Sequence, residues 1–280
     1  MRSIHVDTIT AAVKKLCIEV NYVAGKDIVS AIKVGAETEA SPIGKNILNQ
    51  ILENASLAKE KRMPICQDTG MVIVFMTVGQ DVHFEGGSVT DAVNEGVRQG
   101  YEEGFLRKSV VSDPLIRNNT GDNTPAIIHY ELVPGDQVKI DLSPKGFGSE
   151  NMSQVHMLKP ADGVEGVKKA IIQTVDEAGG NACPPLIVGV GIGGSFEKSA
   201  LLAKKALLRN LDDHSKLDHI RAIEEEVLTK VNQLGIGPQG LGGTTTALAI
   251  HIETYPTHIA GLPVAVNISC HVTRHGKVIL

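Results

Sequence analysis

The chain has 280 residues, 42% of them hydrophobic and 21% charged, with a net charge of −5. That length buries a full core, and the mild negative charge, few aromatics and absence of tryptophan argue against nucleic acid or an anionic membrane as the main partner. No apolar run approaches a membrane span and the start, "MRSIHVDTITAAVKKLC", reads as an amphipathic helix rather than a secretory leader, so a cytoplasmic location is expected.

Taken in order, residues 1–62 are expected to be mainly helical. Ile9, Val13, Leu16 and Val20 fall at helical spacing after Thr8, a second helix covers 27–37, and Ser41-Pro42 opens a third. That third helix carries Ile43, Ile47, Ile51 and Ala55 on one face. A polar run with Cys66 then leads into a strand over 72–78. A helix over 88–105 follows, then a polar loop over 114–126 and two strands around the turn Pro134-Gly135-Asp136. Residues 143–153 read as a Gly/Ser loop, 162–180 as a helix ending in Gly179-Gly180, 185–192 as a buried strand and 195–211 as a helix. After the polar run 212–219 come another helix to Leu234, a glycine loop over 235–246 and two closing strands near 247–254 and 262–270. The expectation is an α/β fold, mixed sheets with flanking helices and a helical N-terminal part, in a single domain over 1–280.

Gly189, Gly191 and Gly194 spell GxGxxG between a strand and a helix. Such a loop admits a pyrophosphate in dinucleotide domains, yet no strand ending in an acidic residue follows about twenty residues on, only Asp212-Asp213-His214-Ser215. A tight turn or a backbone cradle for a small carboxylate are the competing readings. The loop 235–246, with Gly240, Gly242 and Gly243 before three threonines, offers a similar cradle.

The four cysteines, Cys17, Cys66, Cys183 and Cys270, form no CxxC pair and no disulfide scaffold. Cys17 lies between Leu16 and Ile18 on a helix and reads as a small buried apolar residue. The other three stand at element boundaries, where a thiol can leave the core. Three separated thiolates can hold a [4Fe–4S] cluster and leave one iron open, although gaps of this length form no motif and spacing alone favours three unrelated buried thiols.

Five stretches carry a resemblance: "KRMPICQDTG", "DNTPAIIHYELVPGD", "KGFGSEN", "NACPPLIVGVGIGG" and "HIETYPTHIAGLPVAVNISCH". Together they resemble the iron–sulfur class I fumarase and L-tartrate dehydratase family, over nearly the whole length, and more closely the α subunit of its two-subunit type. The resemblance implies that Cys66, Cys183 and Cys270 bind a [4Fe–4S] cluster acting as Lewis acid; Cys17 matches none. It implies that Gln67 and Asp68 contact a dicarboxylate, with Asp68 catalytic near the iron-bound hydroxyl, and that Arg107 binds a substrate carboxylate, with Arg117 the competing candidate. Gly148 is implied to give a backbone amide, with Gly146 as alternative; Phe147 stands where the family commonly has a third glycine. His258 is implied to tune Asp68 by a hydrogen bond, and His271 to support a ligand cysteine. The implied reaction is reversible hydration of fumarate to L-malate, or else dehydration of L-tartrate to oxaloacetate. The chain ends just after the third cysteine, so a β subunit is expected to supply the remaining groups in an α2β2 assembly. A nucleotide-binding module using 189–194 and a non-catalytic iron–sulfur protein are the readings from other classes.

Overall fold

The computed structural model describes residues 2–280. Its elements are, in order, β1 (Arg2–His5), α1 (Val6–Tyr22), α2 (Lys26–Thr38), α3 (Pro42–Lys61), β2 (Met71–Gly79), β3 (Val82–Glu85), α4 (Val89–Glu103), β4 (Ile127–Val133) and β5 (Val138–Lys145). They continue with α5 (Phe147–Glu150), β6 (Gln154–Leu158), α6 (Gly163–Ala178), β7 (Leu186–Gly193), α7 (Phe196–Ala206), α8 (Asp218–Asn232), β8 (Ala247–Tyr255), β9 (Leu262–Ser269) and β10 (Gly276–Ile279). The fold is α/β with mixed sheets and a helical N-terminal part, as the pattern of elements requires. The chain packs as two compact units, one of residues 1–25, 55–147 and 274–280, the other of 26–54 and 148–273.

In the first unit a four-stranded sheet has the order β10-β5-β2-β4, with β2 parallel to β4 and antiparallel to β5. The run "VIVFMTV" makes β2 a central strand buried on both faces. Helix α1 starts at Val6, three residues before the expected point, because His5 caps it by accepting from the Asp7 N–H. Ile9, Val13, Leu16 and Val20 are buried as the spacing predicts. Helices α1 and α4 approach closely because Gly96 and Gly100 face α1; a Cβ at Gly100 would stand 2.8 Å from Cys17 Cβ. Cys17 is therefore core, and its burial pushes the thiol pKa far up. Two short strands, β1 and β3, pair in parallel; neither is expected from the sequence, since four residues show too little alternation to read.

In the second unit the sheet order is β6-β9-β7-β8, with β7 parallel to β8 and antiparallel to β9. Val188 and Val190 of β7 join the core under α6 and α8, whereas Ile187 joins a cluster with Ile28, Ile32 and Leu48 of α2 and α3. On α3, Ile47, Ile51 and Ala55 are half-buried on the expected face, and the correction falls on its start. Ile43 is exposed, and Leu48 and Gly44 turn inward, because Gly44 packs on Glu39, where a Cβ would stand 2.9 Å from its Cγ. The helix expected over 195–211 ends at Ala206, and β6 and β10 are strands that the sequence does not announce.

Candidate active-site residues

In the first unit, the run Cys66–Gly70 leaves α3 and turns into β2, and buried donors hold its main chain. The Ile65 N–H donates to the Asn21 carbonyl at 2.9 Å. The Tyr101 hydroxyl donates to the carbonyls of Thr69 and Gly70 at 2.6 and 3.0 Å, and Asn123 Nδ2 donates to the Gly70 carbonyl at 3.2 Å. Tyr101 and Asn123 are fully buried. Gly70 adopts φ +77°, and any Cβ there would stand 2.8 Å from the Lys145 backbone, so only glycine fits. The thiol of Cys66 is half-buried and donates to Gln67 Oε1 at 3.3 Å; Gln67 itself is exposed.

Asp68 accepts at both carboxylate oxygens. Oδ1 takes the Gly70 N–H at 3.0 Å, an Asx turn, and Oδ2 takes the Phe147 N–H at 2.9 Å. Its main-chain carbonyl takes Arg274 Nη2 at 2.8 Å. A Cβ on Gly146 would stand 3.1 Å from Asp68 Oδ2, whereas one on Gly148 would meet nothing within 4 Å. Gly146 is thus the glycine beside Asp68, and Gly148 lies exposed on α5. Arg107 is joined to the run through its main chain, its carbonyl accepting from Thr69 Oγ1 at 3.2 Å, and its side chain is exposed. Arg117 is exposed too, at φ +65° in the loop before β4. Phe147 and Arg274 are the partners that sequence reasoning missed. Phe147 acts through its N–H, and Arg274 lies 206 residues from Asp68, so neither leaves a local signature.

In the second unit, Cys183 follows Gly180–Ala182 in the left-handed region, φ +55°, with an exposed thiol. His271, the neighbour of Cys270, reaches the Cys183 carbonyl with its main-chain N–H at 3.4 Å and its Nδ1 at 3.0 Å. Gln239 donates to the Pro184 carbonyl from its N–H and from Nε2, and Nε2 lies 3.2 Å from His271 Nδ1. The segments carrying Cys183 and Cys270 are thereby tied together, with His271 as the tie. His258 is exposed in the turn between β8 and β9, where its Nδ1 accepts from the Ala260 N–H at 3.1 Å. Behind Gly148, Glu150 binds Lys204 and accepts from Asn267 Nδ2, and burial lowers the Lys204 pKa against the pull of Glu150.

Both glycine loops have structural explanations. Gly189 and Gly191 lie inside β7 rather than in a turn. A Cβ on either would stand 2.2 or 2.0 Å from a carbonyl of α7, so these glycines let the helix lie directly on the strand. The cradle at 235–246 is filled from within the chain. The buried Glu39 carboxylate accepts the N–H groups of Thr244 and Thr245 as well as that of Ser41.

All four cysteines are free. Among the described residues no three His, Cys, Asp or Glu side chains converge on a point that would hold a single metal ion. A cluster asks instead for one accessible thiolate per iron it is bound through. As a donor set the cysteines suit that chemistry: Cys66, Cys183 and Cys270 are each partly or fully exposed outside the regular elements, and Cys17 is sealed in the core. Among the described residues no helix is long and apolar enough to cross a membrane.

The model of the fumarate hydratase (fumerase) family matches residues 10–279. A relative from Methanocaldococcus jannaschii, named "Putative L(+)-tartrate dehydratase subunit alpha", is 43% identical over 255 residues, 89% of each chain. The L(+)-tartrate dehydratase subunit alpha of Escherichia coli (strain K12) is 31% identical over 258 residues, which is 91% of this chain and 84% of that one. Its counterpart in strain UTI89 is 32% identical over 254 residues, 89% of this chain and 83% of that one. With a family model spanning nearly every residue and relatives alike over most of both lengths, the chain belongs to the fumarate hydratase (fumerase) family of hydro-lyases.

Proposed function

We propose that this chain is the α subunit of a two-subunit hydro-lyase that adds water to, or removes it from, a four-carbon dicarboxylate, with residues 1–280 serving as one functional domain. The observation that carries the reading is the Cys66-Gln67-Asp68 turn: a half-buried thiol, an open amide and a carboxylate stand on consecutive residues of a loop whose main chain is fixed by buried donors. Cys66, Cys183 and Cys270 would hold a [4Fe–4S] cluster, which when bound supplies a Lewis-acidic iron for the substrate hydroxyl and carboxylate.

The protein's own part is orientation and proton handling. Asp68, its carboxylate oriented by the Gly70 and Phe147 N–H groups, serves as the proton-transfer group for the carbon-bound hydroxyl or the adjacent carbon. His258 serves as its tuning partner. Gln67 hydrogen-bonds the dicarboxylate and the exposed Arg107 guanidinium pairs with one of its carboxylates. Gly146 or Gly148 lets the main chain approach the substrate closely. A β subunit, in an α2β2 assembly, supplies the rest.

Hydration of fumarate to L-malate is the first reading for the substrate, after the family's name. Dehydration of L-tartrate to oxaloacetate is the second, favoured by the names of the relatives. The test is anaerobic co-purification with the β subunit, followed by assay on fumarate, L-malate and L-tartrate. A kcat/KM at least about tenfold higher for one four-carbon acid is expected. No turnover of any of them by a preparation carrying about four iron and four sulfide per chain would sink the proposal. A Cys66→Ser variant that keeps all its iron would remove Cys66 from the ligand set.

A further inference from the structure

Arg274 is a buried arginine beside the Asp68 turn, and neither composition nor motif marks it. It is 5% exposed. Nη2 donates to the Asp68 carbonyl at 2.8 Å, and the Arg274 carbonyl accepts from Ser143 Oγ at 2.6 Å. Nε and Nη1 are buried and meet no acceptor among the described residues. A guanidinium taken out of water with two of its N–H faces unpaired costs several kcal/mol, and one carbonyl does not offset that. A neutral donor of similar length would satisfy the carbonyl more cheaply. The charge is therefore the feature to explain, and Asp68 is the anionic group beside it. A methyl placed on Gly146 would lie 3.1 Å from Asp68 Oδ2 and 3.8 Å from Arg274 Nη2, so guanidinium and carboxylate flank one small space.

Three consecutive carbonyls, those of Asp68, Thr69 and Gly70, each accept from a buried side chain, and Arg274 is the one charged donor among Arg274, Tyr101 and Asn123. Tyr101 and Asn123 hold the part of the turn that enters β2. Arg274 holds the residue that carries the carboxylate.

We infer that Arg274 is a positioning residue for Asp68: its buried guanidinium fixes the main chain of Asp68, so that the carboxylate meets the substrate in one orientation. The kinetic side of this inference rests on the hydro-lyase reading, and the structural side does not. Two readouts keep them apart. The first is amide hydrogen exchange of the full chain at Gly70 and Phe147, whose N–H groups bind the Asp68 carboxylate. In Arg274→Met, exchange at these two amides should rise at least about tenfold, while amides of β2 beyond Val72 stay within about twofold. The second is steady-state kinetics of the complex with the β subunit, normalised to cluster content. Arg274→Met should lower kcat about 10²-fold and change KM less than about threefold, and Arg274→Lys, which keeps a charged donor, should recover about tenfold of that loss. Unchanged exchange at Gly70 and Phe147 would overturn the inference, as would a kcat loss that vanishes once activity is expressed per cluster. If Arg274→Met does not fold, Arg274→Lys carries both tests, with the same amides expected to exchange about threefold faster and wild-type rates overturning the inference. Faster exchange in the variant together with a wild-type complex inert toward four-carbon acids would uphold the positioning role and remove the hydro-lyase reading instead.

Discussion

Among the carboxylates that accept backbone N–H groups, Glu39 and Asp68 are put to different uses. Glu39 is 1% exposed, and its oxygens take the N–H groups of Ser41, Thr244 and Thr245 and the Thr244 hydroxyl. Burial alone would raise its pKa, but those donors outweigh it and hold the carboxyl at about 2. Nothing can approach it, because Gly44 and Gly243 are pressed against its side chain. Asp68 takes one N–H on each oxygen, is only half-buried, and has the thiol of Cys66 and the exposed Gln67 beside it. Glu39 fastens a loop. Asp68 is aimed, with lone pairs left over for chemistry.

The comparison breaks most sharply at Asp68. Replacing it by Asn preserves the shape but turns one acceptor into a donor and removes the proton-transfer group. A kcat loss of about 10³-fold or more is expected in the complex, with iron content and thermal midpoint close to wild type. A loss of iron together with activity would make Asp68 structural, like Glu39.

Glu39→Gln is the mirror test. An amide nitrogen would face N–H donors, and the depressed pKa converts to about 3 kcal/mol of stability. The sign follows from the lowered folded pKa: this contribution is complete above about pH 4.5 and is lost as pH falls toward 2. Urea unfolding at pH 7 should show about that loss in the variant, and the gap from wild type should close in acid. The amide's effect on kcat should stay within about threefold.

A buried histidine extends the contrast to neutral pH. His251 on β8 is 2% exposed. Burial first, and the nearby Arg209 charge second, hold its pKa down at about 4. Its neutral form is the folded one, so the stability it confers is complete above about pH 6.5 and is lost between 6.5 and 4. Between pH 7 and 5 this amounts to about 2 kcal/mol. Glu253, whose pKa burial raises, contributes with the opposite sign. The informative quantity is therefore the difference between wild type and His251→Gln: the variant should lose markedly less stability from pH 7 to pH 5. Equal losses would rule out His251 as the titrating group.

How much of this was legible in the sequence depended on how local each cause is. The buried face of α1, the central strand β2 and the sealed position of Cys17 follow from short-range spacing, and all three are found. The start of the inward face of α3 departs from the pattern, with Ile43 exposed, because Gly44 packs on Glu39, a contact that hydrophobic periodicity does not encode. Gly189 and Gly191 imitate a phosphate loop because close helix packing and anion binding both demand a missing Cβ. The loop 235–246 suggests a cradle for a small acidic ligand, but the N–H groups of Thr244 and Thr245 are taken by Glu39, about 205 residues earlier in the chain. Separations of 79 and 206 residues likewise hid Phe147 and Arg274 from the reading of Asp68. Residues with their own chemistry were visible; the main-chain and long-range partners that aim them were not.

The smallest expected effect separates the two glycines of the "KGFGSEN" loop. Gly146 and Gly148 are indistinguishable by motif, yet a Cβ on Gly146 would press on Asp68 Oδ2 at 3.1 Å and one on Gly148 would meet open space. Neither has a positive φ, so alanine is tolerated by the backbone at both positions and only the contact differs. Gly146→Ala should shift the Asp68 carboxylate by a few tenths of an ångström and lower kcat about tenfold, or about 1.4 kcal/mol in the barrier. Gly148→Ala should stay within about twofold in kcat. If it instead raises KM at least tenfold with kcat unchanged, then the exposed Gly148 is where the substrate approaches the main chain, and Gly146 is glycine only to make room for Asp68.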